Sequence, residues 1–243
     1  NLDHIEGVHY VPLDLTDTIS IRHFAETTKG LCCGSLNVLI NNAGVSGIGP
    51  IEEFSLSCAR QIFEVNFWGL MQLTQLLLPL LKKGSQRKPP VHLLNFGSLI
   101  AEFPVPYHAV YAASKGALRA YSLALRSELY NQNIRVVLLE PGDIATGTAP
   151  FHSIKNHSVY STSFDQVKLA RARKMDAAPP PTVASRRIVR LLATHNPPPI
   201  VAFGSFARSL RFLRRLLPDR LALFLTTSAY GVQSIFARVR SHR

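Results

Sequence analysis

With 243 residues, 47% of them hydrophobic, the chain can bury one large core, and its 14 glycines and 16 prolines are too dispersed for a collagenous or low-complexity protein. The formal charge is +12 and concentrates at the carboxyl end, where residues 204–243 hold eight arginines against one acid; such a tail favours an anionic surface. Cys32, Cys33 and Cys58 do not make a disulfide framework and read as reduced, buried thiols, and no spacing of the nine histidines suits a metal.

In chain order, "VHYVPLDLTD" predicts a short strand through Val8 to Leu13, then a helix start capped by Asp17 or Thr16 and running to about Lys29. "LNVLINNAG" is an unbroken apolar run ending at glycine, the pattern of a strand buried on both faces. Residues 57–83 carry a long helical pattern, "PPVHLLNFGS" the next strand, 109–131 another long helix and "IRVVLLEPGD" another buried strand. A helix over about 182–194 and the strand "PIVAF" follow. Apolar strands alternating with helices predict an α/β fold, a doubly wound parallel sheet in three α/β/α layers. Ligands of such sheets gather beyond the carboxyl ends of the strands. That places a site at Asp14, at the turn of Asn42, Ala43 and Gly44, at Ser98, and at Pro141 and Gly142.

Tyr111 and Lys115 stand four residues apart in "VYAASKGALRAYSLALRSEL", on one helix face. A free phenol, with a pKa of about 10, is a poor base at neutral pH. A nearby ammonium favours the phenolate and brings the group toward the range useful for proton transfer. A hydroxyl from the preceding strand end, Ser98, is placed to hold a substrate oxygen beside that phenol.

These residues do not stand alone. Asn41-Asn42-Ala43-Gly44, Asn66 in "EVNFWG", Ser98 thirteen residues before Tyr111, "PGDIAT" at 141–146 and Asp14 in "PLDLTD" occur together and in this order. In that set the sequence resembles the short-chain dehydrogenase/reductase family over most of residues 8–146, with a Rossmann-like fold. The resemblance implies an NAD(P)-dependent oxidoreductase interconverting a secondary alcohol and a ketone. It makes Tyr111 the proton donor and acceptor, Lys115 the group that lowers its pKa and holds the nicotinamide ribose, Ser98 the oxygen ligand, and Asn66 the support of a water relay to Lys115. Asp14 would meet the adenine. Asn42, Ala43 and Gly44 would pass close to the cofactor, Pro141 and Gly142 would line the nicotinamide, and Ile144 and Thr146 would orient its carboxamide and phosphates. Asn41 reads more simply as a buried link between strands.

The family's glycine-rich phosphate loop and first two strands are not found before "NLDHIEGVHY", so the sequence is expected to begin inside a longer one, and to fold and bind cofactor poorly by itself. The residue that selects the cofactor goes with them, leaving NADP, slightly favoured, or NAD. "GVSGIG" at 44–49 overlaps the Asn-Asn-Ala-Gly turn and runs into Pro50, so it reads as a flexible loop at the cleft rim rather than a phosphate loop.

Residues 1–203 are thus expected to form the incomplete cofactor domain. It includes a variable substrate lid at about 147–180, where Phe151, Tyr160 and Phe164 either line a pocket or pack as a local core. Residues 204–243 form a basic, amphipathic extension interrupted near Pro218, suited either to an anionic membrane or to closing the substrate pocket. No apolar run reaches the roughly 20 residues of a membrane span. The wording "VNFWG" and the basic, apolar tail suggest a retinoid, steroid or acyl-lipid substrate, a cytoplasmic-side location with membrane association (endoplasmic reticulum or lipid surface in a eukaryote) and, by resemblance, a homodimer through helices 57–83 and 109–131. The competing readings are a non-catalytic fragment or scaffold of the same family and a nucleic-acid binder. The intact Ser98, Tyr111, Lys115 and Asn66 argue against the first, and the lack of a recognition motif argues against the second.

Overall fold

Helix α1 (Thr18–Leu31) begins where its cap allows: the Asp17 carboxylate accepts the N–H groups of Ile19 (2.9 Å) and Ser20 (3.3 Å), two of the donors a helix start leaves unpaired. The computed structural model describes residues 5–87, 90–145, 150–152, 154–155, 157–204 and 206–232. Four strands, β1 (Val38–Asn41), β3 (Val91–Phe96), β4 (Ile134–Pro141) and β6 (Ile200–Phe203), pair in parallel in the order β1-β3-β4-β6.

The apolar runs of β3 and β4 follow from this arrangement, because alternate side chains serve opposite layers. Leu93 and Val136 pack with α1, α3 (Gly69–Arg87) and α4 (Ala109–Leu129) on one face. Leu94 and Val137 pack with Leu191 of α6 (Thr182–Leu192) on the other. The three α/β/α layers expected from the sequence are present.

Several expectations change. Val8 to Leu13 form no strand; they have no ladder partner among the described residues, and β1 stands at the sheet edge with Ile40 40% exposed. Side-chain pattern supplies what a strand would bury but not the neighbour that makes it one. The 57–83 pattern is not one α-helix: α2 (Leu56–Phe63) passes through a π-helical turn, Glu64–Trp68, into α3. Gly69, directly after that turn, sits where a Cβ would come 2.0 Å from the Leu15 carbonyl oxygen, so α3 approaches the α1 entry loop more closely than any side chain permits.

"GVSGIG" runs along the cleft at Gly44–Ser46, as expected, but contains a short strand. Gly47 and Ile48 form β2, paired in parallel with β5 (Phe151–His152), and Ile48 is buried. The lid region contains α5 (Ser161–Asp176), hidden from sequence reading because only Phe164 and Val167 of its 16 residues are buried. The tail forms α7 (Ala207–Arg214) and α8 (Asp219–Ala229), broken at Pro218 as expected. The cysteines are unpaired, yet Cys33 is exposed and Cys32 and Cys58 are half-buried rather than buried.

Candidate active site

Helix α4 is rich in Ala and Leu, strong helix formers, and lays Ser114, Lys115, Leu118, Ser122 and Leu125 against the sheet. Lys115 is therefore carried into the interior, where its Nζ donates to the Phe96 carbonyl at 2.7 Å, at the carboxyl end of β3. Burial is the only cause of its lowered pKa, about 8, which still leaves the ammonium as the main form at pH 7. One turn earlier, Tyr111 stands near enough to Ser98 for the serine side chain to act on its phenol. Ser98 follows β3, and its Oγ also accepts the Ile100 N–H at 3.2 Å.

Burial raises the Tyr111 pKa, and the Ser98 side chain and the Arg171 charge oppose the rise. The sequence reading gave the opposing role to Lys115; in this structure the Lys115 ammonium is committed to Phe96 instead.

Asn66 lies in the π-helical turn, fully buried. Its Nδ2 donates to the Val45 carbonyl (2.9 Å) and Ser114 Oγ (3.0 Å), and its Oδ1 accepts the Val45 N–H (2.8 Å). It thus ties the residue after Gly44 to α4. A Cβ on Gly44 would lie 3.2 Å from both Asn66 Oδ1 and Lys115 Nζ, so a side chain there would crowd both. Turns of π type are rare and concentrate at functional sites; nothing in "EVNFWG" announces one. Asn41 is a strand link, its Nδ2 donating to Thr74 Oγ1 (3.0 Å) and Asn95 Oδ1 (2.9 Å).

A cleft of about 910 Å³ opens over these groups, lined by Asn42–Gly44, Ser98, Tyr111, Lys115, Pro141, Gly142 and Ile144. Asn66 supports its floor. Asp14 is not among the lining residues: it is exposed, and its Oδ1 accepts both the N–H and the hydroxyl of Thr16 at 2.8 Å. Thr146 lies outside the described residues. Phe151, Tyr160 and Phe164 do not line the cleft: Phe164 is buried in a local core with Ile48, Val167 and Tyr230, and the Tyr160 hydroxyl donates to Glu52 at 2.7 Å.

On the far wall, Leu210, Leu213 and Leu217 place the tail at the cleft, one of the two roles expected for it, whereas Arg171, Lys174 and Met175 of α5 were not singled out within the expected lid. Sequence reading also missed Glu140, a buried carboxylate at the end of β4 bound by Arg119 of α4 and, at 3.0 Å, by Arg211 of α7. Among the described residues, no group of three potential ligands could hold a metal ion.

His108, immediately before α4, is buried with its Nδ1 on the Pro106 carbonyl (3.0 Å) and no partner on Nε2 among the described residues. Burial lowers its pKa to about 4. The folded state therefore keeps this ring neutral where the unfolded chain takes up a proton. The stability tied to it is present above pH ~6.5 and is lost as pH falls toward about 4, by up to about 3 kcal/mol. His92, lowered chiefly by burial, acts in the same direction. Denaturant melts from pH 7 to 4.5 should show the loss, and His108→Phe should flatten it; an unchanged slope in that variant would exclude His108 as the cause.

The family model described as short chain dehydrogenase matches residues 2–156. The chain belongs to the short-chain dehydrogenase family. A 3-ketodihydrosphingosine reductase of Bacteroides thetaiotaomicron is 27% identical over 241 residues, 95% of this chain and 86% of that protein. A Drosophila melanogaster dehydrogenase/reductase SDR family protein 7-like is 30% identical over 86% of this chain, and bovine retinol dehydrogenase 8 is 34% identical over 54%. The chain spans 60% of the Drosophila protein and 40% of the bovine one. Among solved structures, a short-chain dehydrogenase from Streptomyces avermitilis superposes with a TM-score of 0.71 at 26% identity, over 85% of this chain and 77% of that one. A Brucella melitensis 3-ketoacyl-(acyl-carrier-protein) reductase complexed with NADH gives 0.52 at 29% identity, over 55% of each.

The cleft fits the nicotinamide end of this family's dinucleotide. Lys115 presents a buried ammonium with one described protein acceptor, and Gly44 leaves the floor clear of side chain. No glycine-rich turn from a strand into a helix, which would hold the pyrophosphate, occurs among the described residues.

Proposed function

We propose that the chain is the catalytic part of an NAD(P)-dependent oxidoreductase that interconverts a secondary alcohol and a ketone on a lipid-like substrate. The observation that carries this reading is the convergence of Ser98, Tyr111 and Lys115 in one cleft whose far wall is largely apolar. The dinucleotide supplies or accepts the hydride. Ser98 holds the substrate oxygen beside the phenol with which it shares the cleft. Tyr111, kept protonated by burial, gives its proton to that oxygen during reduction and takes it back during oxidation. Lys115 offers its remaining N–H groups to the ribose, while its bond to Phe96 fixes its position. Asn66 keeps the 44–45 backbone and α4 in register beneath them.

The lipid-like substrate is favoured by Leu210, Leu213 and Leu217 on the wall, and by relatives named for a ketodihydrosphingosine and a retinol. Hydride transfer by the full-length protein should be followed on long-chain and short polar ketones with NADPH and with NADH. Turnover of the long-chain ketones is expected; binding without turnover of any ketone would instead favour a non-catalytic family member.

Two associations belong to this reading. A groove between α2 and α4 exposes Ile51, Leu56 and Trp68, the last 49% exposed, beside Arg60 and Glu64. Opposite charges one turn apart suit a two-fold contact with a second copy, in which each Arg60 meets the other's Glu64. Trp68→Glu should shift the protein from dimer to monomer in light scattering; an unchanged mass would remove this interface.

In the tail, Phe206 is 80% exposed and Phe212 and Leu216 are exposed too, among the exposed Arg208, Arg215 and Arg220. This outward face suits an anionic membrane surface while Leu210, Leu213 and Leu217 face the cleft. No helix among the described residues is long and apolar enough to cross a membrane. Arg238, Arg240 and Arg243 lie outside the described residues. Equal co-sedimentation with anionic vesicles with and without residues 205–243 would end the membrane reading.

A further inference from the structure

We propose that Arg171 and Lys174 form the recognition site for a carboxylate or phosphate carried by the substrate of this cleft. The two are three residues apart on α5, share its inward face and line the cleft with Tyr111. Both are half-buried, and neither makes an ion pair among the described residues, whereas Arg119, Arg211 and Arg214 all do. Asp143, the acid that shares the cleft lining, attracts Lys174 only at a distance beyond an ion pair.

Cations drawn partly out of water without a carboxylate partner favour an anion arriving with the ligand. Arg171 brings the planar fork that binds carboxylate and phosphate through two parallel hydrogen bonds. Lys174 is steadied by the Tyr230 ring, its Nζ 3.8 Å from the ring centroid.

Position separates this site from the cofactor floor. The charge of Arg171 reaches the Tyr111 and Tyr230 phenols and the His108 ring, whereas the shift at Lys115 has burial as its sole cause. The cations thus stand on the tyrosine side, and Leu210, Leu213 and Leu217 give the same cleft an apolar wall. The geometry suits an amphiphile whose anionic group lies near the reacting oxygen and whose apolar chain runs along the tail helices.

This inference rests on the cleft being the substrate site proposed above, and its test reads binding rather than turnover, so the two fail separately. Dodecanoate, dodecyl phosphate and methyl dodecanoate, below their micellar concentrations, are titrated calorimetrically into the full-length protein and its Arg171→Gln, Arg171→Lys and Lys174→Gln variants. A charge-assisted bond at a half-buried cation predicts that at least one anion binds about 10- to 100-fold tighter than the ester. Arg171→Gln should abolish that preference with the ester affinity unchanged, and Arg171→Lys should keep part of it. The ratio of the two anions tells carboxylate from phosphate. Equal affinity for acids and ester, no binding of any of the three, or a preference that survives both glutamine variants overturns the assignment. A loss of ester binding together with a lowered melting temperature marks misfolding, and the Arg171→Lys protein then decides.

Discussion

Tyr111→Phe is expected to lower turnover by about 10²–10⁴, the usual cost of one acid–base group, while leaving the fold and dinucleotide affinity close to those of the parent. The substitution removes one hydroxyl and keeps the ring, so α4 packing and the Lys115 bond to Phe96 stay in place. What disappears is the proton donor beside Ser98. Because burial holds the phenol protonated, reduction should proceed without loss through the neutral range, where the donor form dominates. Single-turnover absorbance changes separate chemistry from binding. A variant that keeps more than about a tenth of the parent rate would take Tyr111 out of the proton path, since general acid–base groups contribute about 10²-fold or more.

The parallel sheet was legible in the sequence because β3 and β4 feed two cores at once, so adjacent positions such as Leu93-Leu94 and Val136-Val137 are both apolar and the runs are β-like in length. That Ser98, Tyr111 and Lys115 would meet in one cleft was legible because they are set by strand end and helical turn, both local geometry. Three things were hidden for physical reasons. The π-helical turn that seats Asn66 is a backbone hydrogen-bonding choice, and its side-chain pattern matches an α-helix. Helix α5 carries its pocket-facing cations on a largely polar sequence, which periodicity cannot distinguish from a solvated loop. The failure of Val8–Leu13 to form a strand depends on a neighbour, which no property of those six residues encodes. Glu140 belongs with these: "LLEPG" reads as a strand end, and only the fold brings Arg119 and Arg211 to it.

That buried carboxylate gives the second large expected effect, a loss of about 3–5 kcal/mol of stability in Arg119→Met at neutral pH, the usual cost of breaking a buried ion pair from one side. Glu140 is fully inside, with Arg119 on one oxygen and Arg211 on the other, and Arg119 also binds Glu102 at 2.6 Å. Without Arg119, the Glu140 charge keeps one described ion-pair partner while its desolvation is unchanged. Burial already raises its pKa, chiefly against the pull of Arg119, so the variant raises it further. A carboxyl with a raised folded pKa is most favourable to the folded state at low pH and loses that contribution as pH rises through the folded value. The deficit of Arg119→Met relative to the parent should therefore be greatest near pH 7–8 and shrink on acidification, and adding Glu140→Gln should recover much of it by removing the charge. The consequence reaches the cleft, because the three partners come from β4 just before Pro141, from α4 one turn past Lys115, and from α7, whose leucines form the far wall. Denaturant melts of the single and double variants at pH 5 and pH 8 measure this directly. A deficit below about 1 kcal/mol, the range of an exposed ion pair, or one independent of pH, would mean that Arg119 and Glu140 are screened as surface charges are and that the cleft walls are held by packing alone.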